Sequence, residues 1–166
     1  MKLLTPAPLT AEAFAPYGDV LHCDTAAELR HINYGHTERF HNLAALDLAQ
    51  DGGVPLVSIF RTKPMERPIR IRVMERHPLS SQAFYPLSGR PYLVVVAGRG
   101  DFDAANLRAF IAAGDQGVNY HRGVWHHYSL SLGATSDFLV IDRGGPEANC
   151  DEVFIEDQDI RIALQE

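Results

Sequence analysis

Apolar residues recur along this chain in short runs of period two, and helical spacing is scarce. From Leu56 onward the runs come at regular intervals: Leu56–Arg61, Ile69–Glu75, Gln82–Pro86, Tyr92–Ala97, Gly117–Tyr120, Tyr128–Leu132, Phe138–Asp142 and Glu152–Ile155. Each is rich in β-branched or aromatic residues and bounded by turn formers, which predicts strands. Such a density of short strands points to an all-β barrel or sandwich. Helix signals are few. Thr10 is placed to cap Ala11-Glu12-Ala13-Phe14-Ala15, a run stopped by Pro16 and Gly18. Leu43 to Gln50 predicts a further turn or so, and Asn106-Leu107-Arg108-Ala109-Phe110-Ile111 fits either a short helix or a strand ahead of Gly114. No internal repeat or low-complexity stretch interrupts this pattern.

Alternation also predicts which side chains look inward. In Ile69–His77 the odd positions Ile71, Val73, Glu75 and His77 share one face, and Arg70, Arg72 and Arg76 share the other. The inner face is therefore apolar with a polar end, the arrangement of a small closed sheet whose mouth holds a ligand. Gln82, beyond the Pro78 turn, can return an oxygen to that place. His126 can arrive from a distant strand after the Gly123 turn. Glu75, His77, Gln82 and His126 are thus candidate ligands, and imidazole with carboxylate or amide oxygen suits nickel, manganese, iron or zinc. His127, of opposite parity, is expected to be exposed or at a subunit contact. His121 is either a turn residue or a chemical group, and His31, Asn33, His36, Arg39 and His41 either form a solvated loop or close over the pocket. Trp125, Phe84, Tyr85 and Tyr92 read as core or pocket wall. Asp142-Arg143-Gly144-Gly145 reads as a strand end with a local ion pair and a turn.

Composition narrows the class. With 166 residues, 46% hydrophobic and 22% charged, the chain fits a single domain over 1–166. A net charge of -6 with scattered arginines argues against nucleic-acid or anionic-membrane partners. No apolar run approaches the roughly 20 residues that span a bilayer, and Met1-Lys2-Leu3-Leu4 leads to Pro6 and Pro8 rather than a signal-peptide core. A cytoplasmic location is expected. Cys23 and Cys150 lie outside any metal-ligand spacing and are expected as free, buried thiols.

Two of the segments above resemble known motifs. Glu75-x-His77-Pro78-x-x-x-Gln82 resembles the first cupin motif, with Glu75 in place of a histidine and Gln82 in place of an acid. His121-Arg122-Gly123-Val124-Trp125-His126 resembles the second, with His121 in place of a proline. More closely, the chain resembles the ureidoglycolate lyase family, also called ureidoglycolate hydrolase. The matching strings include Phe14-Ala15-Pro16-Tyr17-Gly18-Asp19-Val20, His31-Ile32-Asn33, Glu75-Arg76-His77-Pro78-Leu79, Gln116-Gly117-Val118-Asn119-Tyr120-His121-Arg122 and Asp137-Phe138-Leu139-Val140-Ile141-Asp142-Arg143-Gly144-Gly145.

The resemblance implies a cupin-like double-stranded β-helix barrel with a few short helices, assembled as a homodimer and carrying nickel. The implied activity is cleavage of (S)-ureidoglycolate to glyoxylate and urea late in allantoin (purine) degradation. That elimination removes a hydroxyl proton and protonates the leaving urea nitrogen, and a chelating divalent ion acidifies the hydroxyl. Glu75, if it is not a ligand, or His121 is the candidate base. A guanidinium fork suits the substrate carboxylate, and Arg39 and Arg61 are the candidates. Two other readings remain: an amidohydrolase releasing ammonia and carbon dioxide, and a non-enzymatic cupin that binds a small acid.

Overall fold

β-Strands are the dominant regular structure in the computed structural model, which describes residues 1–164. In chain order they are β1 (Lys2–Leu4), β2 (Ala7–Pro8), β3 (Gly18–Leu21), β4 (Leu29–Ile32), β5 (Thr37–Phe40), β6 (Val54–Thr62), β7 (Arg70–Ile71), β8 (Val73–Arg76) and β9 (Gln82–Pro86). They continue as β10 (Tyr92–Ala97), β11 (Arg108–Ala112), β12 (Gly117–Tyr120), β13 (Trp125–His126), β14 (Leu130–Ser131), β15 (Ser136–Gly144), β16 (Asp151–Phe154) and β17 (Ile160–Ile162). The α-helix α1 (Ala11–Phe14) begins where predicted, with Thr10 Oγ1 accepting from the Ala13 amide at 3.2 Å.

Three layers form around β10. The central sheet runs β16-β8-β13-β10-β11-β2, with β14 also on β10; a five-stranded sheet runs β3-β12-β9-β15-β6 and a small one β1-β17-β7. The residues of β10 explain its place. Tyr92, Val94 and Val96 pack with Phe84, Tyr120 and Phe138 of the five-stranded sheet, whereas Leu93, Val95 and Ala97 pack with Ile71, Ile160 and Ile162 of the small sheet. A strand covered on both faces has no polar alternation, which is why Tyr92–Ala97 is one continuous apolar run. Outside these layers, β4 and β5 form a separate two-stranded ribbon.

The all-β expectation is met as a mostly β chain with a few short helices, and several details differ. The run Ile69–Glu75 is broken at Arg72, whose carbonyl is taken by the Ile155 amide at 2.8 Å. β7 then pairs with β17, while β8 lies between β16 and β13. The break shifts the frame: Ile71 and Met74, three apart, enter the same core, so strict alternation across the run is overturned. The ambiguous Asn106–Ile111 resolves as the end of a 3-10 turn, Ala104–Asn106, followed by β11, which pairs with β10 from Tyr92↔Ala112 to Val96↔Arg108. Leu43–Ala49 forms no helix, its Ala45 and Asp47 amides being taken by Asp19 Oδ2 at 3.0 Å and Ser81 Oγ at 2.9 Å, and only Gln50 opens a single 3-10 turn, Gln50–Gly52. The N-terminal strands β1 to β5 were not predicted. They are short, and in β4 and β5 most side chains are exposed, so no apolar alternation marks them.

Gly18 shows how tightly β3 and β12 approach. A Cβ there would sit 1.9 Å from the carbonyl oxygen of Asn119. Gly18→Ala is expected to destabilise the protein by about 3 kcal/mol, because the obstacle is backbone rather than a movable side chain. A lowered urea midpoint at unchanged m-value checks this.

Candidate metal centre

The site is assembled by a turn and a two-residue strand. Gly123 adopts φ 77°, and its amide donates to the His77 carbonyl at 3.0 Å, tying the turn to the segment that follows β8. The chain then enters as β13, where His126 lies opposite Glu75 on one side and Val96 on the other. One donor atom each from Glu75, His77 and His126 lies within 4.8 Å of the others.

Hydrogen bonding shows what these atoms are free to do. His77 Nδ1 faces the Asn149 carbonyl at 2.7 Å and must donate, which leaves a lone pair on Nε2. That lone pair faces Gln82 Oε1 at 3.1 Å, and the Gln82 amide nitrogen donates to Asp142 Oδ2 at 3.1 Å. Two acceptors therefore point at each other. A cation between them resolves that conflict, as does protonation of His77. His126 adds a second sign: Nδ1 donates to the His127 carbonyl at 3.2 Å, and Nε2 is buried with no partner. An orphaned buried ring nitrogen, a facing imidazole and amide oxygen, and an adjacent carboxylate fit a borderline divalent ion.

Burial sets the charges. It pushes the Glu75 carboxyl up; His77 draws it down and the Glu152 charge raises it again. The His126 imidazole is depressed to about 3, first by burial and then by His77. His126 is consequently neutral wherever Glu75 is ionised, so their 3.7 Å approach is not a salt bridge. The Tyr120 ring lies flat on His126, with centroids 4.1 Å apart, and burial followed by the Glu75 charge raises its phenol. Cys150 Sγ is 4.0 Å from Glu75 Oε2, and its thiol is raised by burial and by Glu75, Glu152 and Asp151.

Of the candidates named from the sequence, Glu75, His77, Gln82 and His126 come together here. His121 stands apart: its Nε2 meets Asp19 Oδ2 at 3.1 Å, an oxygen that also accepts from Asn119 Nδ2 at 2.9 Å. It belongs to the Asp19 and Asn119 side of β12, while Tyr120 turns toward His126. There it lines a cavity of about 220 Å³ with Ala45, Asp47, Ser81, Arg99 and Arg122. This cavity neighbours the centre through the chain, since Ser81 precedes Gln82 and His121 follows Tyr120. Arg61 is exposed on β6 and binds Asp137 bidentately at 2.8 and 2.9 Å; Arg39 is exposed on the ribbon strand β5.

Three expectations are corrected. His127 is buried, because β13 lies inside a sheet covered on both faces, and its pKa falls to about 4 through burial. Cys23 and Cys150 are free but exposed. Asp142 and Arg143 do not pair: Asp142 holds Gln82, and Arg143 donates to the carbonyls of Gln50 and Asp51. Reading from sequence missed Asn149, which clamps the His77 turn through its carbonyl and through Oδ1 to the Leu79 amide at 2.7 Å. It also missed Asp19, Arg99 and Arg122. Only folding brings these residues to the site, and no spacing announces them.

A family profile described as Ureidoglycolate lyase matches residues 1–163. The ureidoglycolate lyase of Burkholderia mallei (strain NCTC 10229) is 54% identical over 152 residues, covering 92% of this chain and 89% of its own length. That of Pseudomonas paraeruginosa is 51% identical over 167 residues, covering 99% and 98%. That of Brucella anthropi is 53% identical over 162 residues, covering 98% and 95%.

Two outcomes follow from this geometry. A divalent ion at a hundred times its Kd is expected to stabilise the protein by about 2.7 kcal/mol, seen as a raised melting temperature, and His77→Ala and His126→Ala abolish the effect. In metal-free protein, His126 and His127 are neutral down to about 3 and about 4, against 6.5 for the ordinary side chain. The unfolded chain binds more protons in that window, so stability is full above about pH 6.5 and falls as pH drops through it. Urea midpoints at about pH 7 and about pH 5 test this, and His127→Gln should flatten the dependence.

Proposed function

The chain belongs to the ureidoglycolate lyase family, and we propose that it cleaves (S)-ureidoglycolate to glyoxylate and urea by metal-assisted elimination in the cytoplasm. One observation carries the mechanism: His77 Nε2 and Gln82 Oε1 face each other with no donor between them, in a cluster where Glu75, His77 and His126 each bring a ligand atom within 4.8 Å of the others, and His126 Nε2 is buried without a partner. His77, Gln82 and His126 would hold a divalent ion, proposed as nickel, with Glu75 Oε1 completing the set. Such an ion makes a chelated hydroxyl more acidic and stabilises negative charge on its oxygen.

Glu75 has a second task. Its Oε1 faces His126 while Oε2 lies toward Cys150, so one oxygen is available to accept the hydroxyl proton. Burial raises the affinity of this carboxyl for a proton, which suits a group that takes one up and passes it on. As the carbon–oxygen double bond forms, the carbon–nitrogen bond breaks with its electron pair on the urea nitrogen. The proton held by Glu75 then completes urea. His121 is the alternative proton carrier, held through Nε2 by Asp19 with Nδ1 left for a substrate in the cavity its ring lines. Arg39 is the proposed partner of the substrate carboxylate, joined from the cavity wall by Arg99 and by Arg122, which Asp47 holds at 3.1 Å; Arg61 could serve only by releasing Asp137.

The packing of the five-stranded sheet against the central one around Phe84, Tyr120 and Phe138 supports a cupin-like double-stranded β-helix as the finer description. A homodimer is supported by β6, a terminal strand of its sheet with Val57 70% and Ile59 54% exposed. A long apolar edge of this kind favours cover by another chain.

Incubation with racemic ureidoglycolate is expected to yield equal amounts of glyoxylate and urea, without ammonia, and chelator should abolish turnover until metal is restored. Ammonia in place of urea would assign hydrolysis instead. His126→Ala is expected to lower kcat/KM by about a thousandfold, and Asp142→Ala to weaken metal affinity about tenfold by releasing Gln82. Val57→Lys with Ile59→Lys should shift light scattering from dimer to monomer.

A further inference from the structure

The β4–β5 ribbon is well formed yet has little to rest on. Residues Leu29, Arg30, His31, Thr37, Glu38 and Arg39 are exposed, and the ribbon's substantial packing among the described residues is with itself. Its tip turns through Asn33, Tyr34 and Gly35 with φ of 53°, 60° and 87°, and Tyr34 is fully exposed. A two-stranded hairpin alone is marginal in water, so a ribbon of this kind calls for a surface to lie on.

Its chemistry indicates which surface. Arg30 and Arg39 lie directly opposite each other, an unfavourable pairing on an isolated ribbon. Arg30 is satisfied by Glu28 at 2.6 and 3.1 Å, whereas Arg39 makes no ion pair among the described residues. The matching surface is at β16, the terminal strand of the central sheet. Glu152 there faces Glu75 across the strand pair, and Phe154 is 69% exposed. One face offers an unpaired cation with exposed Leu29 and Tyr34; the other offers acidic side chains with an exposed phenylalanine. The ribbon is also rooted beside the catalytic region, because the chain leaving it runs directly into Ala45 and Asp47 of the cavity wall.

We propose that the β4–β5 ribbon of each copy reaches across to a second copy of this chain and brings Arg39 to the mouth of that copy's metal centre, where it binds the substrate carboxylate. The site is then completed only in the dimer. This rests on the lyase reading for the role of Arg39, while the contact itself can be tested without activity.

Arg39→Cys, treated with a short bismaleimide, is expected to give a covalent dimer through the native Cys150 of the second copy, and adding Cys150→Ser should remove it. Linkage confined to one chain, or none, overturns the contact. For the role, Arg39→Ala should raise KM about tenfold to a hundredfold with little change in kcat. Co-expressing Arg39→Ala with His126→Ala, each nearly inactive alone at low substrate, should restore roughly a quarter of wild-type activity by statistical pairing. Glu75→Ala replaces His126→Ala if the buried variant does not fold. In a mixed dimer the chain with intact ligands receives an intact Arg39 from its neighbour, so restoration demands action across the interface. A mixture that stays inactive while wild-type protein makes urea overturns the proposal. Wild-type protein that cross-links but makes no urea removes the lyase reading and leaves the contact standing.

Discussion

His126 reaches the centre on a strand of two residues, and the register of that strand is the constraint on which the site depends. β13 is wedged between β8 and β10, so a shift of one residue would exchange His126 for Trp125 or His127 opposite Glu75. The Gly123 turn sets that register from one end through its bond to the His77 carbonyl. Trp125 sets it from the other face, donating to the Gly100 carbonyl at 2.9 Å beneath the Arg76 guanidinium. Leaving a buried ring nitrogen unpaired costs about 1–3 kcal/mol. The surrounding packing tolerates that penalty, with Tyr120 flat on the imidazole and β13 paired to Val96 of the buried strand β10.

Much of this was legible in the chain before folding. Period-two runs marked most of the strands that build the central and five-stranded sheets. The Glu-x-His pair and the histidine after a glycine turn marked the metal centre. What stayed hidden was of two kinds. Short strands such as β1 and β17 are held by each other, with Leu3 opposite Arg161, and neither is long enough to show a period. Groups that orient the ligands, such as the Asn149 carbonyl on His77 and Asp142 on Gln82, act from 72 and 60 residues away, and nothing in the local chain distinguishes them from other polar residues. His127 misled for a third reason: parity predicts exposure only where a sheet has a wet face, and this one has none at β13.

Electrostatically, the centre is arranged so that burial does most of the work. His126 and His127 are held neutral, which is the state that can coordinate a cation, while the Glu75 and Glu152 carboxyls face each other across β8 and β16. A bound cation would relieve that repulsion and the lone-pair conflict at Gln82 together. The arginines follow a different pattern. Arg61, Arg76 and Arg161 are committed to nearby carboxylates, which leaves few guanidinium groups for a small acid.

The double coverage of β10 has a mechanical consequence. Because Tyr92, Val94 and Val96 belong to one packed interior and Leu93, Val95 and Ala97 to the other, this strand is a party wall: neither compartment can be emptied while its neighbour stays intact. The histidine set opposite Val96 therefore keeps its place only while both interiors stand.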